Sequence, residues 1–140
     1  MNSRPVLDTF HIPRTIAVAR AAVGAGLMLA PSLTARLYMG EEARRPSVRF
    51  VNRVFGGRDV ALAVVLFSAL GQGERAAVSK ALWLGAVCDL WDGTSAIIGR
   101  GQLPRAGRLL ISVNALSWAG IGAAAAVSSR KVPFKGAVLP

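Results

Sequence analysis

Cysteine, histidine and acidic residues are scarce in this 140-residue chain, and each shortage removes a class of chemistry. A single cysteine, Cys88, excludes an intrachain disulfide and any cysteine-rich metal site. Set between Val87 and Asp89-Leu90 in an apolar run, it reads as an inert buried thiol. The only histidine, His11, stands two residues before Pro13, where no histidine–carboxylate or histidine–cysteine metal constellation has recognisable spacing. Ser112, Ser117, Ser128 and Ser129 have no histidine or lysine base at a suggestive distance along the chain, so nucleophilic catalysis has no candidate. Gly24 and Gly26 follow no strand and do not make a nucleotide loop. No cofactor is expected. Charged residues make up 17% of the chain, below the roughly one quarter of soluble proteins.

Hydrophobic residues, by contrast, reach 53% and the mean hydropathy is positive. They gather into long runs with the charges between them, which points to lipid as the solvent. Lys and Arg number 17 against 7 Asp and Glu, a net charge of +10. In a soluble protein that balance would suggest nucleic acid. Here Arg44, Arg45, Arg49 and Arg53, and further on Arg105 and Arg108, flank hydrophobic segments, so anionic lipid headgroups are their expected counterions and nucleic acid is not an expected partner.

The predicted fold class is all-α: an integral membrane four-helix bundle with short loops. A polar N-terminal segment covers residues 1–15, four spans cover about 16–38, 51–70, 76–98 and 109–127, and a basic tail covers 128–140. A cleaved signal peptide competes for the first run, but Asp8, the length of the run and the lack of a small-x-small site argue against it. Pro31 predicts a bend in span one. Arg20 and Arg36, near the ends of that run, are expected to snorkel to the headgroups. The second run is short in apolar residues, and a helix beginning near Pro46 makes up the length. Trp83 and Tyr38 fit interfacial belts, whereas Trp91 and Trp118 lie mid-span and are expected to fill packing space. With spans set aside, seven Lys and Arg fall on each side of the membrane, so the positive-inside rule assigns no orientation.

Charges inside the runs are the strongest functional leads. Ala81, Gly85, Asp89, Asp92 and Ala96 recur every three or four residues and share one face of span three. Small residues on that stripe let a neighbouring helix approach, so the two carboxylates face protein. Arg58 and Asp59 lie near the start of span two, on the side where span three ends. Arg58 is expected to pair with Asp92 or Asp89, since an unpaired charge at that depth costs at least about 2.5 kcal/mol. A second small-residue stripe, Ala115, Ala119 and Ala123, offers a packing surface to another helix or another subunit.

The Ala30-Pro31 end of span one, the run Phe55-Gly56-Gly57-Arg58-Asp59-Val60-Ala61-Leu62 and an aspartate in span three together resemble a family of small four-helix bacterial membrane proteins of unknown function. They resemble the DoxX-type membrane proteins more loosely. The resemblance spans about residues 16–127, and the Gly-Gly-Arg-Asp segment is its specific part. It implies a four-helix membrane bundle and no settled activity; the wealth of arginine and alanine looks like that of a high-GC bacterium, and a bacterial cytoplasmic membrane is the expected location.

The expectation that follows is an accessory or interaction subunit without catalysis of its own, in contact with another membrane protein or with itself. The competing expectation is a small carrier or binding protein for a lipid, quinone or cation that uses Arg58, Asp59, Asp89 and Asp92. A ligand-sized void beside those residues would favour the second, and directly paired charges the first.

Overall fold

The computed structural model describes residues 11–99 and 101–131, and over them the chain is all-helical with no strand. The expectations for residues 1–10, Arg100 and 132–140, which include most of the polar N-terminal segment and of the basic tail, lie outside the described residues. Five α-helices follow in order: α1 (His11–Leu29), α2 (Pro31–Met39), α3 (Pro46–Gln72), α4 (Arg75–Ile98) and α5 (Arg105–Lys131). A short 3-10 turn, Gly40–Arg44, lies between α2 and α3. Among the described residues the chain is therefore already helical at His11, ahead of the boundary expected at residue 16, and stays helical through residues 128–131.

The first apolar run is broken where the sequence predicts a bend. Ala30 leaves the helical region at φ −127° and ψ 54°, and Pro31, which has no N–H to donate, opens α2. A break of this kind leaves carbonyls without helical donors. One of these at the end of α1, the Met28 carbonyl, accepts from Arg53 Nε at 3.4 Å, and in the first turn of α2 the Pro31 carbonyl accepts an added hydrogen bond from Asn52 Nδ2 at 2.9 Å. Both donors lie on α3, which begins at Pro46 and so reaches this level. At its other end α3 closes on Gly73, whose φ of 70° is the left-handed conformation that glycine adopts without a Cβ penalty; its N–H donates to the Leu70 carbonyl at 3.2 Å.

The helices pack chiefly as two pairs, α1 on α3 and α4 on α5, with α3 also touching α4. Glycine makes the first pairing close. A Cβ on Gly24 would stand 2.7 Å from the Gly56 carbonyl oxygen, and one on Gly56 would stand 2.6 Å from that of Gly24. Between α4 and α5, Ser79 Oγ donates to the Ala126 carbonyl at 3.0 Å and accepts from Arg130 Nε at 2.9 Å. A core cluster around Ile16, Ala17, Leu66, Val78, Leu82 and Ala126 joins the two pairs at one end.

Large and small side chains are distributed the opposite way from a soluble protein. Most of the buried hydrophobic residues are alanines, among them Ala17, Ala35, Ala63, Ala86, Ala96 and Ala126. Leu29, Leu33, Leu37, Phe50, Leu109 and Ile98 are all well exposed. Water does not tolerate such a surface without association, whereas acyl chains do. Three helices, α1, α3 and α5, are long and apolar enough to cross a membrane. α4 has 24 residues, about 36 Å of helix, and carries Lys80, Asp89 and Asp92 within it; it is not one of the three, so the four spans expected are not all matched by length and apolarity. Trp91 is 68% exposed. It does not fill packing space as expected, because it lies on the outer face of α4, next to the inward Asp92. Trp118 packs against the core cluster, and Trp83 is exposed.

Candidate functional site

Three helices each bring charge to one level. Arg20 is the tenth of the 19 residues of α1, and Asp59 is the fourteenth of the 27 of α3, so both stand at the midpoint of their helices. Arg58 precedes Asp59, and Asp89 and Asp92 follow one another on the inward face of α4. Asp89 is only 7% exposed. The stripe it shares with Ala81, Gly85 and Ala96 is buried, and Asp92 is half-buried.

The five side chains form an alternating row from one aspartate to another. Arg20 Nη2 donates to Asp89 Oδ2, and Arg20 Nη1 donates to Asp59 Oδ1 at 3.4 Å. Arg58 Nη2 donates to the same Asp59 oxygen at 3.2 Å. Arg58 then closes on Asp92 in a two-pronged pair, Nη1 to Oδ1 at 2.8 Å and Nη2 to Oδ2 at 2.7 Å. The fork geometry of guanidinium suits this double contact, which a lysine cannot reproduce. Phe55, one turn before Arg58, puts its ring 5.3 Å from the guanidinium carbon.

Two consequences follow from the order Asp89–Arg20–Asp59–Arg58–Asp92. Each arginine bridges two carboxylates, so the row ties α1 and α3 to α4 across the junction between the helix pairs. Three carboxylates against two guanidinium groups also leave one formal negative charge in excess. Gly85 makes the geometry possible: a Cβ there would lie 2.9 Å from Arg20 Nη2. The guanidinium rests against bare backbone one helical turn before Asp89.

Arg20 is the member that sequence reasoning misses. Counting the first span from residue 16 puts Arg20 near a membrane surface, where an arginine snorkels. The chain is already helical at His11, and with its side chain 10% exposed Arg20 is enclosed by α3 and α4. Arg58 takes Asp92 and Asp59, while Asp89 belongs to Arg20.

A second polar contact lies at the α1–α2 break. Asn52, 2% exposed, donates to the Pro31 carbonyl while its Oδ1 accepts from the Tyr38 hydroxyl. Tyr38 is thus held by α3 as well as lying near a helix end. Ala115 and Ala119 are buried against α4; Ala123 is half-buried. Together with Trp83, Leu90 and Leu116 these last two line an apolar groove of about 270 Å³ between α4 and α5. None of the five charged side chains lines it. Arg44, Arg45, Arg49, Arg53 and Arg105 are exposed, and Arg108 is half-buried. Arg44 and Arg45 also pair with Glu41 and Glu42 one turn back. Among the described residues no group of three or more histidine, cysteine or acidic residues is placed to hold a metal ion. No family model, curated protein or solved structure matches the chain.

Proposed function

We propose that this chain is a multi-pass protein of a bacterial cytoplasmic membrane, with α1, α3, α4 and α5 as four crossings, and that it serves as an accessory or interaction subunit without catalysis of its own. The observation that carries this reading is the closed row of charges. Every carboxylate in it touches a guanidinium, and both arginines are shared between carboxylates. A ligand for these groups would have to displace contacts the protein already makes. The row therefore serves assembly: it fixes how the α1–α3 pair meets the α4–α5 pair, in a solvent where apolar helices gain little by leaving lipid for one another.

The excess negative charge favours a second reading, a carrier or binding protein that takes up a cation, lipid or quinone at Asp59, Asp89 or Asp92. The groove between α4 and α5 is lined by apolar residues, away from those carboxylates, which gives this reading less support. Purification of the full chain from native membranes in mild detergent, followed by native mass spectrometry, separates the two. The proposal expects a mass above the 14.6 kDa of one chain, accounted for by protein. A lone chain carrying a stoichiometric small molecule would overturn it in favour of the carrier.

A further inference from the structure

Of the uncharged polar residues of α5, Ser112 and Ser129 are buried, and Asn114, Ser117 and Ser128 share the outward face. With Leu110, Ile121 and Ala124 they make a row, Leu110, Asn114, Ser117, Ile121, Ala124 and Ser128, spaced alternately by four and three residues as in the seam of a heptad repeat. On that face Asn114, Ser117, Ile121 and Ala124 are exposed, as are Leu110 and Ser128 at its ends. Asn114 stands four residues from the midpoint of α5, about 6 Å along the axis, and its amide has no hydrogen-bond partner among the described residues. Under the membrane reading proposed above, on which this inference rests, that amide points into hydrocarbon. A bare amide there is unfavourable, and an interhelical hydrogen bond removes the penalty.

We infer that α5 pairs with α5 of a second copy of this chain, in parallel, along the Leu110–Ser128 seam with Asn114 against Asn114. An amide carries a donor and an acceptor and so is complementary to itself. A two-fold axis along the membrane normal brings each residue to its own counterpart at the same depth. An antiparallel pair would leave the two Asn114 side chains about 12 Å apart in depth, unable to meet. Ser117 and Ala124 lack bulk, which lets the two helices approach, and the four–three spacing sets a shallow left-handed crossing. The arrangement uses a face of α5 turned away from α4 and leaves the charged row untouched.

Single cysteines test the seam in the full chain carrying Cys88→Ala, reconstituted at low density in phosphatidylethanolamine–phosphatidylglycerol vesicles and oxidised. Ser117→Cys and Ala124→Cys are expected to give disulfide-linked dimers, and Leu116→Cys, turned about 100° away, to stay monomeric. Asn114→Leu, which removes no contact inside the monomer, is expected to weaken dimerisation about tenfold. Equal cross-linking at Leu116→Cys and Ser117→Cys, or an unchanged dimer with Asn114→Leu, would overturn the inference. In the native-membrane purification described above, a single copy held by a different membrane protein would overturn self-pairing and leave the accessory reading intact. A single copy with no protein partner would overturn both.

Discussion

Each guanidinium in the charged row answers to two carboxylates, so the two arginines are not equivalent to lose. Arg20→Leu strips Asp89 of its partner, whereas Asp59 keeps Arg58. Breaking a buried pair from one side costs about 3–5 kcal/mol because a charge is left without compensation. Reversible unfolding in mixed micelles should therefore show Arg20→Leu destabilised by about that amount. Adding Asp89→Asn should recover part of the loss, and adding Asp92→Asn should not. Equal rescue by both would mean the row does not have the order found. Arg58→Leu gives the converse pattern, with Asp92→Asn as its rescuing change, and the readout is protein accumulation in membranes. The aspartates and Arg58 are legible as candidates because charge inside an apolar run stands out. Arg20 is not, because its depth depends on where α1 begins, and the residues that extend α1 to His11 are no more apolar than a loop. The role of Gly85 is hidden for the same reason: its stripe marks a close contact but does not say that the contact is a guanidinium.

Between elements, two glycines that look alike in sequence behave differently. Gly56 abuts the backbone of α1, and a Cβ on Gly57 meets nothing within 4 Å. Gly56→Ala should therefore separate α1 from α3 and destabilise the fold. Gly57→Ala should be neutral or stabilise it by about 0.5–1 kcal/mol through the helix preference of alanine. Thermal unfolding of the two variants side by side measures this, and similar losses at both positions would contradict the crossing. At the α1–α2 break, Asn52→Leu removes the donor to the Pro31 carbonyl and the acceptor of the Tyr38 hydroxyl, for an expected loss of about 1–3 kcal/mol. The sequence makes the proline visible and predicts a bend. It does not reveal a full break, nor that Asn52 and Arg53 donate to carbonyls on either side of it, 21 and 25 residues away. The start of α3 at Pro46, by contrast, is readable from length alone, because the apolar part of the second run is too short to cross a bilayer.

At the scale of the whole molecule, alanine inside and leucine, valine, phenylalanine and tryptophan outside define the account. Composition makes the choice of solvent legible, but composition does not say which side chains meet it. Trp91 illustrates the difference: its mid-span position suggests packing, yet in lipid an aromatic ring has no need of the interior, and the inward face of α4 is taken by Asp89, Asp92 and small residues. That exposure also supplies the most direct test of the claim that lipid surrounds the bundle. With Trp83 and Trp118 replaced by phenylalanine, the fluorescence of Trp91 is measured in vesicles of lipids brominated deep in the acyl chain and then with aqueous iodide. The account predicts strong quenching by the bromines and almost none by iodide. Quenching by iodide with indifference to bromine would place this face in water and contradict it.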